Sequence, residues 1–165
     1  MGNTGYYNTF PAVRGIQAGR PCYIAMCPMR LVPKLFVFDE DEVPPELRED
    51  TLAKITGTLS LELAVEGADL IIEAAPESLE LKHALFAQVD AHASQEAVLA
   101  TNTSSLSVAK IGEVLRDSGQ LVGTHFFNPV HIMALLEIIT HKGNPNEVVQ
   151  KIQAFGQRIG KECIL

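Results

Sequence analysis

ADLIIEAA, residues 68–75, is the stretch of sequence that decides the fold. It is an almost continuous apolar run, which is typical of a parallel β-strand whose two faces are both covered by helices. Similar apolar runs follow at residues 97–102 (AVLATN), 121–127 (LVGTHFF) and 134–139 (ALLEII), and KECIL at 161–165 begins a further strand. The sequence therefore predicts a series of short, buried strands.

Helices are predicted between these strands. Ser78 can cap a helix in which Leu81, Leu85 and Val89 recur every four residues and form one apolar stripe. Such a stripe faces a sheet, so this helix is expected to cover the strand that precedes it.

Two further helices complete the alternation. One is predicted over residues 107–117, with Gly119 supplying a left-handed stop. The other is predicted to begin with Asn144 as its cap and Pro145 as its first residue. Strands that alternate with helices of this length indicate βαβ units, so the predicted fold class is α/β, a doubly wound, mostly parallel sheet with flanking helices.

Polar residues follow three of the predicted strands at the point where each strand ends. They are Glu77, residues 102–105 (NTSS) and residues 125–128 (HFFN). Ligands of open α/β sheets bind at the carboxyl ends of the strands, so this edge is the predicted site.

Composition argues against several kinds of partner. The net charge is −7, and thirteen of the twenty acidic residues lie between Asp39 and Glu80, whereas a nucleic-acid surface requires a basic face. The sequence has no run of 18 apolar residues and no cluster with metal-ligand spacing, so neither a membrane nor a metal is expected. The three cysteines, Cys22, Cys27 and Cys163, form neither a C-x-x-C motif nor an even set, which indicates a reducing, cytoplasmic location.

Two ionisable residues interrupt the last two long apolar runs, His125 in one and Glu137 in the next. A glutamate buried among leucines and isoleucines is expected to have a partner, because removing the partner of a buried charge costs about 3–5 kcal/mol. We therefore predict that Glu137 pairs with His125 and fixes its tautomer, which leaves the other ring nitrogen to take a proton from a substrate hydroxyl. The alternative is a core histidine and a solvated glutamate at a strand edge.

Four motifs in this sequence resemble the 3-hydroxyacyl-CoA dehydrogenase family. Residues 125–129 (HFFNP) followed by 135–137 (LLE) are similar to the family's histidine signature and the strand that carries its glutamate. Residues 71–77 (IIEAAPE), 100–106 (ATNTSSL) and 160–165 (GKECIL) are similar to other family segments, in the same order. The resemblance covers about residues 46–165 and implies a partial Rossmann-like NAD-binding domain.

The resemblance implies NAD-dependent oxidation of (3S)-3-hydroxyacyl-CoA to 3-oxoacyl-CoA, in fatty-acid β-oxidation or hydroxybutyryl-CoA metabolism. It makes His125 the general base and Glu137 its orienting partner, and it matches Ser104 to a serine that hydrogen-bonds the substrate hydroxyl. The family's cofactor-contacting positions fall on Glu77, Lys82, Ser104 and Asn128.

Each of these four residues also has a structural interpretation. Ser104 can satisfy a turn, and Glu77 can cap the following helix. Lys82 can be an exposed helix lysine, and Asn128 before Pro129 is common turn chemistry. Because all four occur in family order, we favour the functional interpretation.

Residues 1–45 do not resemble the family and are predicted to be an irregular segment, in which only residues 34–40 (KLFVFDE) suggest a strand. The family's G-x-G-x-x-G motif, which approaches the cofactor pyrophosphate, has no counterpart here. Asp39 has the residue type of the acid that binds the adenosine ribose, but it lies closer to the next strand than the family places that acid.

The resemblance further implies a helical C-terminal domain that this sequence does not contain, so a homo-oligomer or a complementing chain carrying that domain is expected. Three hypotheses stay open. The chain is a truncated 3-hydroxyacyl-CoA dehydrogenase, a catalytically inactive nucleotide-binding or interaction module, or a sister dehydrogenase that acts on gulonate or carnitine. An uncovered sheet edge would favour self-association.

Overall fold

The computed structural model describes residues 12–17, 20–26, 55–130 and 132–165. They contain one eight-stranded sheet with the strand order β3-β1-β2-β4-β5-β6-β7-β8. The strands are β1 (Ala12–Gln17), β2 (Arg20–Met26), β3 (Ile55–Thr58), β4 (Leu70–Ala74), β5 (Val98–Thr101), β6 (Leu121–Phe126), β7 (Leu135–Ile139) and β8 (Glu162–Ile164). The helices are α1 (Leu61–Val65), α2 (Leu79–His92), α3 (Val108–Ile111) and α4 (Asn146–Arg158).

The predicted mostly parallel sheet is confirmed. Strands β2, β4, β5 and β6 run parallel to one another, and β7 runs parallel to β8. Strand β1 is antiparallel to β2 and β3, and β7 is antiparallel to β6. The carboxyl ends of β4, β5 and β6 therefore meet at one edge, which is where the sequence places its polar clusters. None of the helices in the described residues is long and apolar enough to cross a membrane.

Apolar side chains fill both faces of the sheet. On one face, Ile71, Leu99 and Leu121 pack with Phe86 of α2 and Ile111 of α3. The other face has its own cluster, which consists of Ile72, Val98, Ala100, Val122, Leu136, Ile138, Val148 and Ile152. The alternation of side chains along each strand thus gives the sheet two buried faces, as the continuous apolar runs predict.

The helix after β4 forms as predicted, whereas the helix predicted over residues 107–117 is shorter. The Ser78 side chain accepts a hydrogen bond from the Leu81 amide and caps α2. Helix α3 ends at Ile111 and continues only as a 3-10 turn, Gly112–Val114. Gly119 is not a left-handed stop, because it lies in a second 3-10 turn, Ser118–Gln120. A Cβ there would lie 2.8 Å from the carbonyl oxygen of Gly143, so the glycine permits a close approach of two loops.

The predicted cap of the last helix is wrong by one residue. Helix α4 begins at Asn146, and Pro145 is its N-cap without a side-chain hydrogen bond. The Asn144 side chain is used elsewhere: its amide nitrogen donates to the carbonyls of Gly119 and Leu121 at 2.9 and 2.7 Å. This asparagine therefore ties the loop before α4 to the start of β6.

The N-terminal segment is not irregular throughout, since residues 12–17 and 20–26 form β1 and β2 of the sheet. Their pairing with each other and with β3 and β4 was not visible in the sequence pattern. The strand predicted at residues 34–40, with Asp39, lies outside the described residues.

Candidate active site

The pair predicted from the sequence, His125 and Glu137, is formed. The two residues lie directly opposite each other in the antiparallel pairing of β6 and β7. His125 Nδ1 is 2.6 Å from Glu137 Oε2. Because a carboxylate only accepts hydrogen bonds, we assign the ring proton to Nδ1, which leaves Nε2 as an acceptor.

The pair is more open to solvent than the sequence predicts. The side chain of His125 is 22% exposed and that of Glu137 is 40% exposed. The premise that Glu137 is a buried charge is therefore wrong, although its predicted partner is right. The ring of Phe127 lies against the imidazole, with 4.4 Å between ring centroids, and covers part of it. An exposed face is what a group that exchanges protons with a ligand requires.

Ser104 is brought to the free nitrogen of this histidine. It lies in the exposed loop that follows β5, and its Oγ is 3.3 Å from His125 Nε2. Since Nε2 is the acceptor, the serine hydroxyl is the donor. The carboxyl ends of β5 and β6 thus place a hydroxyl and an imidazole nitrogen side by side.

Gly123, two residues before His125, allows β6 to lie close to β7 and α3. A Cβ at this position would lie 2.8 Å from Cγ2 of Val108 and 2.9 Å from Cβ of Ile139. Both distances are shorter than van der Waals contact, so the spacing of β6, β7 and α3 depends on the glycine.

Glu77 holds the loop that carries Ser104. Its Oε1 accepts hydrogen bonds from the hydroxyl of Thr103 at 2.6 Å and from the backbone amides of Ser104 and Ser105, both at 3.0 Å. Partial burial on its own raises the pKa of this carboxyl, but the hydrogen bonds from Thr103 and from the Ser105 and Ser104 amides outweigh it and lower the pKa to about 2. The sequence suggested a cofactor contact or a helix cap, and it gave no sign of this contact with the loop.

Lys82 is not an exposed helix lysine. It is fully buried, and its Nζ donates to both carboxylate oxygens of Glu73 at 2.9 and 2.8 Å. Further bonds run to the carbonyls of Ala75, at 3.4 Å, and of Asn102, at 3.1 Å. Sequence reasoning missed Glu73 as a site residue; the signal was an acid in the otherwise apolar run of β4, nine residues before a lysine.

The remaining predicted residue, Asn128, is exposed two residues after the end of β6. It lies at the same edge as Ser104 and His125, because β6 ends beside the loop that follows β5. His131 lies outside the described residues. Of the predicted site residues, the structure thus brings His125, Glu137 and Ser104 into contact, joins Glu77 to them through its loop, and buries Lys82 against Glu73.

A mostly parallel α/β sheet with an imidazole, a carboxylate and a serine hydroxyl at the carboxyl ends of its strands is typical of ligand-binding α/β domains, which include nucleotide-binding domains. Residues 37–165 match the family model described as the 3-hydroxyacyl-CoA dehydrogenase NAD-binding domain, so the chain belongs to this family. The match begins at residue 37, whereas the resemblance was expected to begin near residue 46. A second model, described as DNA-sulfur modification-associated, matches residues 10–54 only and shows no family.

Two relatives and one solved structure have names that agree with this family or with fatty acid beta-oxidation. The chain is 38% identical over 69% of its length to a probable 3-hydroxyacyl-CoA dehydrogenase of Caenorhabditis elegans, of which it covers 38%. It is 36% identical over 71% of its length to the peroxisomal fatty acid beta-oxidation multifunctional protein MFP2 of Arabidopsis thaliana, of which it covers 16%. The crystal structure of 3-hydroxybutyryl-CoA dehydrogenase from Escherichia coli K12 superposes with a TM-score of 0.70 at 34% identity, over 74% of this chain and 26% of that chain. The predicted Rossmann-like fold is confirmed, and the chain spans less than half the length of these relatives.

Proposed function

We propose that this chain catalyses the NAD-dependent oxidation of (3S)-3-hydroxyacyl-CoA to 3-oxoacyl-CoA, as a step of fatty-acid β-oxidation or of hydroxybutyryl-CoA metabolism. The observation that supports this proposal most directly is the His125–Glu137 pair with Ser104 on its free nitrogen. Family membership supports the same reaction.

In the proposed mechanism His125 is the general base. Its Nε2 takes the proton of the substrate 3-hydroxyl, while C3 loses a hydride and the C–O bond becomes a carbonyl. The carboxylate of Glu137 stabilises the imidazolium that forms, and the hydroxyl of Ser104 donates a hydrogen bond to the reacting oxygen. General-base catalysis of this kind contributes about 10²–10⁴ in rate.

The residues at the carboxyl edge fit the nicotinamide end of NAD, which supplies the hydride acceptor when bound. Ser104 and Asn128 are exposed polar residues at this edge, and Glu77 fixes the loop that carries Ser104. We propose Glu77, Ser104 and Asn128 as residues on the cofactor side of the site. On the resemblance we also propose Lys82 as a cofactor residue, although its side chain in this structure is fully buried against Glu73 and the Asn102 carbonyl.

We propose an acyl-CoA thioester as substrate, and either a second copy of this chain or a chain that carries a helical C-terminal domain as partner. Among the described residues the sheet ends in β3 on one side and β8 on the other, and this supports a protein partner, because strand edges favour association. Size-exclusion chromatography tests this: we expect self-association, and a stable, monodisperse monomer would contradict it.

We also propose a reducing, cytoplasmic location, supported by the free thiol of Cys163. Recovery of the protein with organelles in cell fractionation would contradict it.

The test of the reaction is NADH oxidation with acetoacetyl-CoA, measured by absorbance for the wild-type chain and for His125→Gln. We expect turnover by the wild type and a loss of about 10²–10⁴ in kcat in the variant. NADH binding, measured by fluorescence, without turnover would instead support an inactive binding module. Turnover with the keto forms of gulonate or carnitine, and none with acetoacetyl-CoA, would assign a sister activity.

A further inference from the structure

We propose that Lys161 is a positioning residue for the active site. Its ammonium group holds the loop between β6 and β7, residues 127–134, in the conformation that places Phe127 and Asn128 beside the acid–base pair. This inference rests on the proposed function only for its effect on cofactor binding. The contacts that carry it are present in the structure whether or not the reaction is the proposed one.

The β6–β7 loop connects the strand that carries His125 to the strand that carries Glu137. Its first residue, Phe127, lies against the imidazole, with 4.4 Å between ring centroids. Asn128 follows and is exposed at the carboxyl edge. Backbone pairing of β6 with β7 fixes His125 opposite Glu137, but Phe127 and Asn128 lie beyond the last residue of β6. Their positions therefore depend on what holds the loop.

Lys161 holds the loop through two of its carbonyl groups. Its Nζ donates to the carbonyl oxygen of Met133 at 2.7 Å and to that of Val130. Within the loop, the amides of Ile132 and Met133 both donate to the carbonyl of Pro129, at 3.0 and 2.9 Å, so this segment forms one turn. Carbonyl groups at the end of a turn carry partial negative charge, and a lysine ammonium group is a favourable partner for them.

The backbone of Lys161 is itself fixed. Its amide donates to the carbonyl of Gly156 in α4 at 2.9 Å, and the amide of the next residue, Glu162, donates to the carbonyl of Ala134 at 2.8 Å. Strand β8, which begins at Glu162, runs parallel to β7. Because these are backbone bonds, a substitution of Lys161 keeps them and removes only the side-chain contact with the loop.

Loss of this contact should act on cofactor binding through the loop. Hydrogen bonds from a charged group are stronger than those between neutral groups, so we expect their loss to lower the fraction of molecules with the loop in place by about tenfold. The apparent dissociation constant for NADH should rise by the same factor, because it equals the intrinsic constant divided by the competent fraction.

The test compares three variants. Lys161→Met removes the ammonium group and keeps a long aliphatic side chain, whereas Lys161→Arg keeps a cation with N–H donors. Lys151→Met is the matched control, because Lys151 makes an exposed ion pair with Glu147 on α4. The first measurement is the position of the backbone amide signals of Phe127 and Asn128 by NMR, which requires neither cofactor nor turnover. Circular dichroism establishes that each variant is folded.

We expect both amide signals to shift in Lys161→Met and to stay near the wild-type positions in Lys161→Arg and Lys151→Met. The dissociation constant for NADH, measured by fluorescence, should rise by about tenfold in Lys161→Met and by less than about twofold in the other two variants. These changes together would support the inference.

Wild-type signals of Phe127 and Asn128 in folded Lys161→Met would overturn the inference. So would a shift in Lys161→Arg as large as that in Lys161→Met, since the charged donor would then not be what holds the loop. Shifted signals with an unchanged dissociation constant would overturn the step from the loop to the cofactor. If the wild type binds no NADH, the proposed function fails, and the NMR comparison still decides whether Lys161 holds the loop.

Discussion

Two acid–base pairs lie at the same edge of the sheet, and they differ in nearly every physical respect. The Glu73–Lys82 pair is closed: both side chains are almost fully buried and each carboxylate oxygen accepts more than one hydrogen bond. The His125–Glu137 pair is open, with a 2.6 Å bond on one side of the imidazole and an accessible nitrogen on the other. A closed pair holds a geometry, whereas an open pair can exchange a proton with a ligand.

The first prediction separates the two pairs by their contribution to stability. Lys82→Met leaves the Glu73 carboxylate buried without its cation, so we expect a loss of about 3–5 kcal/mol in the free energy of unfolding. Glu137→Gln removes a charge that is 40% exposed, and we expect a change below about 1 kcal/mol. Urea denaturation followed by circular dichroism measures both.

Equal losses in the two variants would contradict the distinction between a closed and an open pair. The double variant Glu73→Gln/Lys82→Met is the control within the closed pair. It should recover part of the stability lost in Lys82→Met, because no uncompensated charge then remains buried.

The second prediction concerns the strand spacing on which the open pair depends. In Gly123→Ala the added methyl group would lie within 2.9 Å of Val108 and Ile139, so β6 must move away from β7 or α3. We expect a destabilisation of about 1–3 kcal/mol, which is typical of overpacking in a close-packed core. We also expect a longer His125–Glu137 contact, visible as a shift of the His125 Nδ1 signal. A variant with wild-type stability and an unchanged Nδ1 signal would show that the pair does not need this spacing.

The open pair could be predicted from the sequence and the closed pair could not. His125 and Glu137 lie in two successive apolar runs whose side chains alternate between faces, and this pattern together with the family resemblance was enough to predict that they pair. Lys82 and Glu73 lie on a helix and a strand, and which face of α2 packs on β4 is decided by the whole core. The prediction that Glu137 is buried was wrong for a related reason. The apolar residues next to it in the sequence do not show whether a helix covers the strand at this position.

Local signals at the loops were also incomplete. Ser78 is a cap as predicted, because a cap depends on residues within one helical turn. Asn144 has the sequence of a cap, but its side chain is bound to Gly119 and Leu121, which are more than twenty residues away. Long-range hydrogen bonds of this kind leave no pattern in a single sequence.

The third prediction extends the comparison to a buried polar group that lacks a partner. Thr124 directly precedes His125 on β6, and its side chain is fully buried. Its Oγ1 has no hydrogen-bond partner among the described residues. Thr124→Val removes the hydroxyl and keeps the shape, so we expect a gain of about 1 kcal/mol in the free energy of unfolding. Thr101→Val is the matched control and should be destabilising, because the Thr101 hydroxyl donates to Glu73. A loss of stability in Thr124→Val would mean that its hydroxyl is hydrogen-bonded in solution.

The fourth prediction has the smallest expected effect and concerns Glu77, an exposed carboxylate that shares features with both pairs. Its pKa is lowered from 4.5 to about 2 because the hydrogen bonds from Thr103, Ser105 and Ser104 favour the charged form more than partial burial opposes it. A lowered pKa means that the folded state prefers the carboxylate, so this stabilisation is fully present above pH 4.5 and is lost as the pH falls towards about 2. The difference in unfolding free energy between the wild type and Glu77→Gln should therefore be constant at neutral pH and shrink across that interval. A difference that does not depend on pH would mean that the loop bearing Ser104 is held by its backbone alone, and the Glu77 carboxylate would then be available for contact with a ligand.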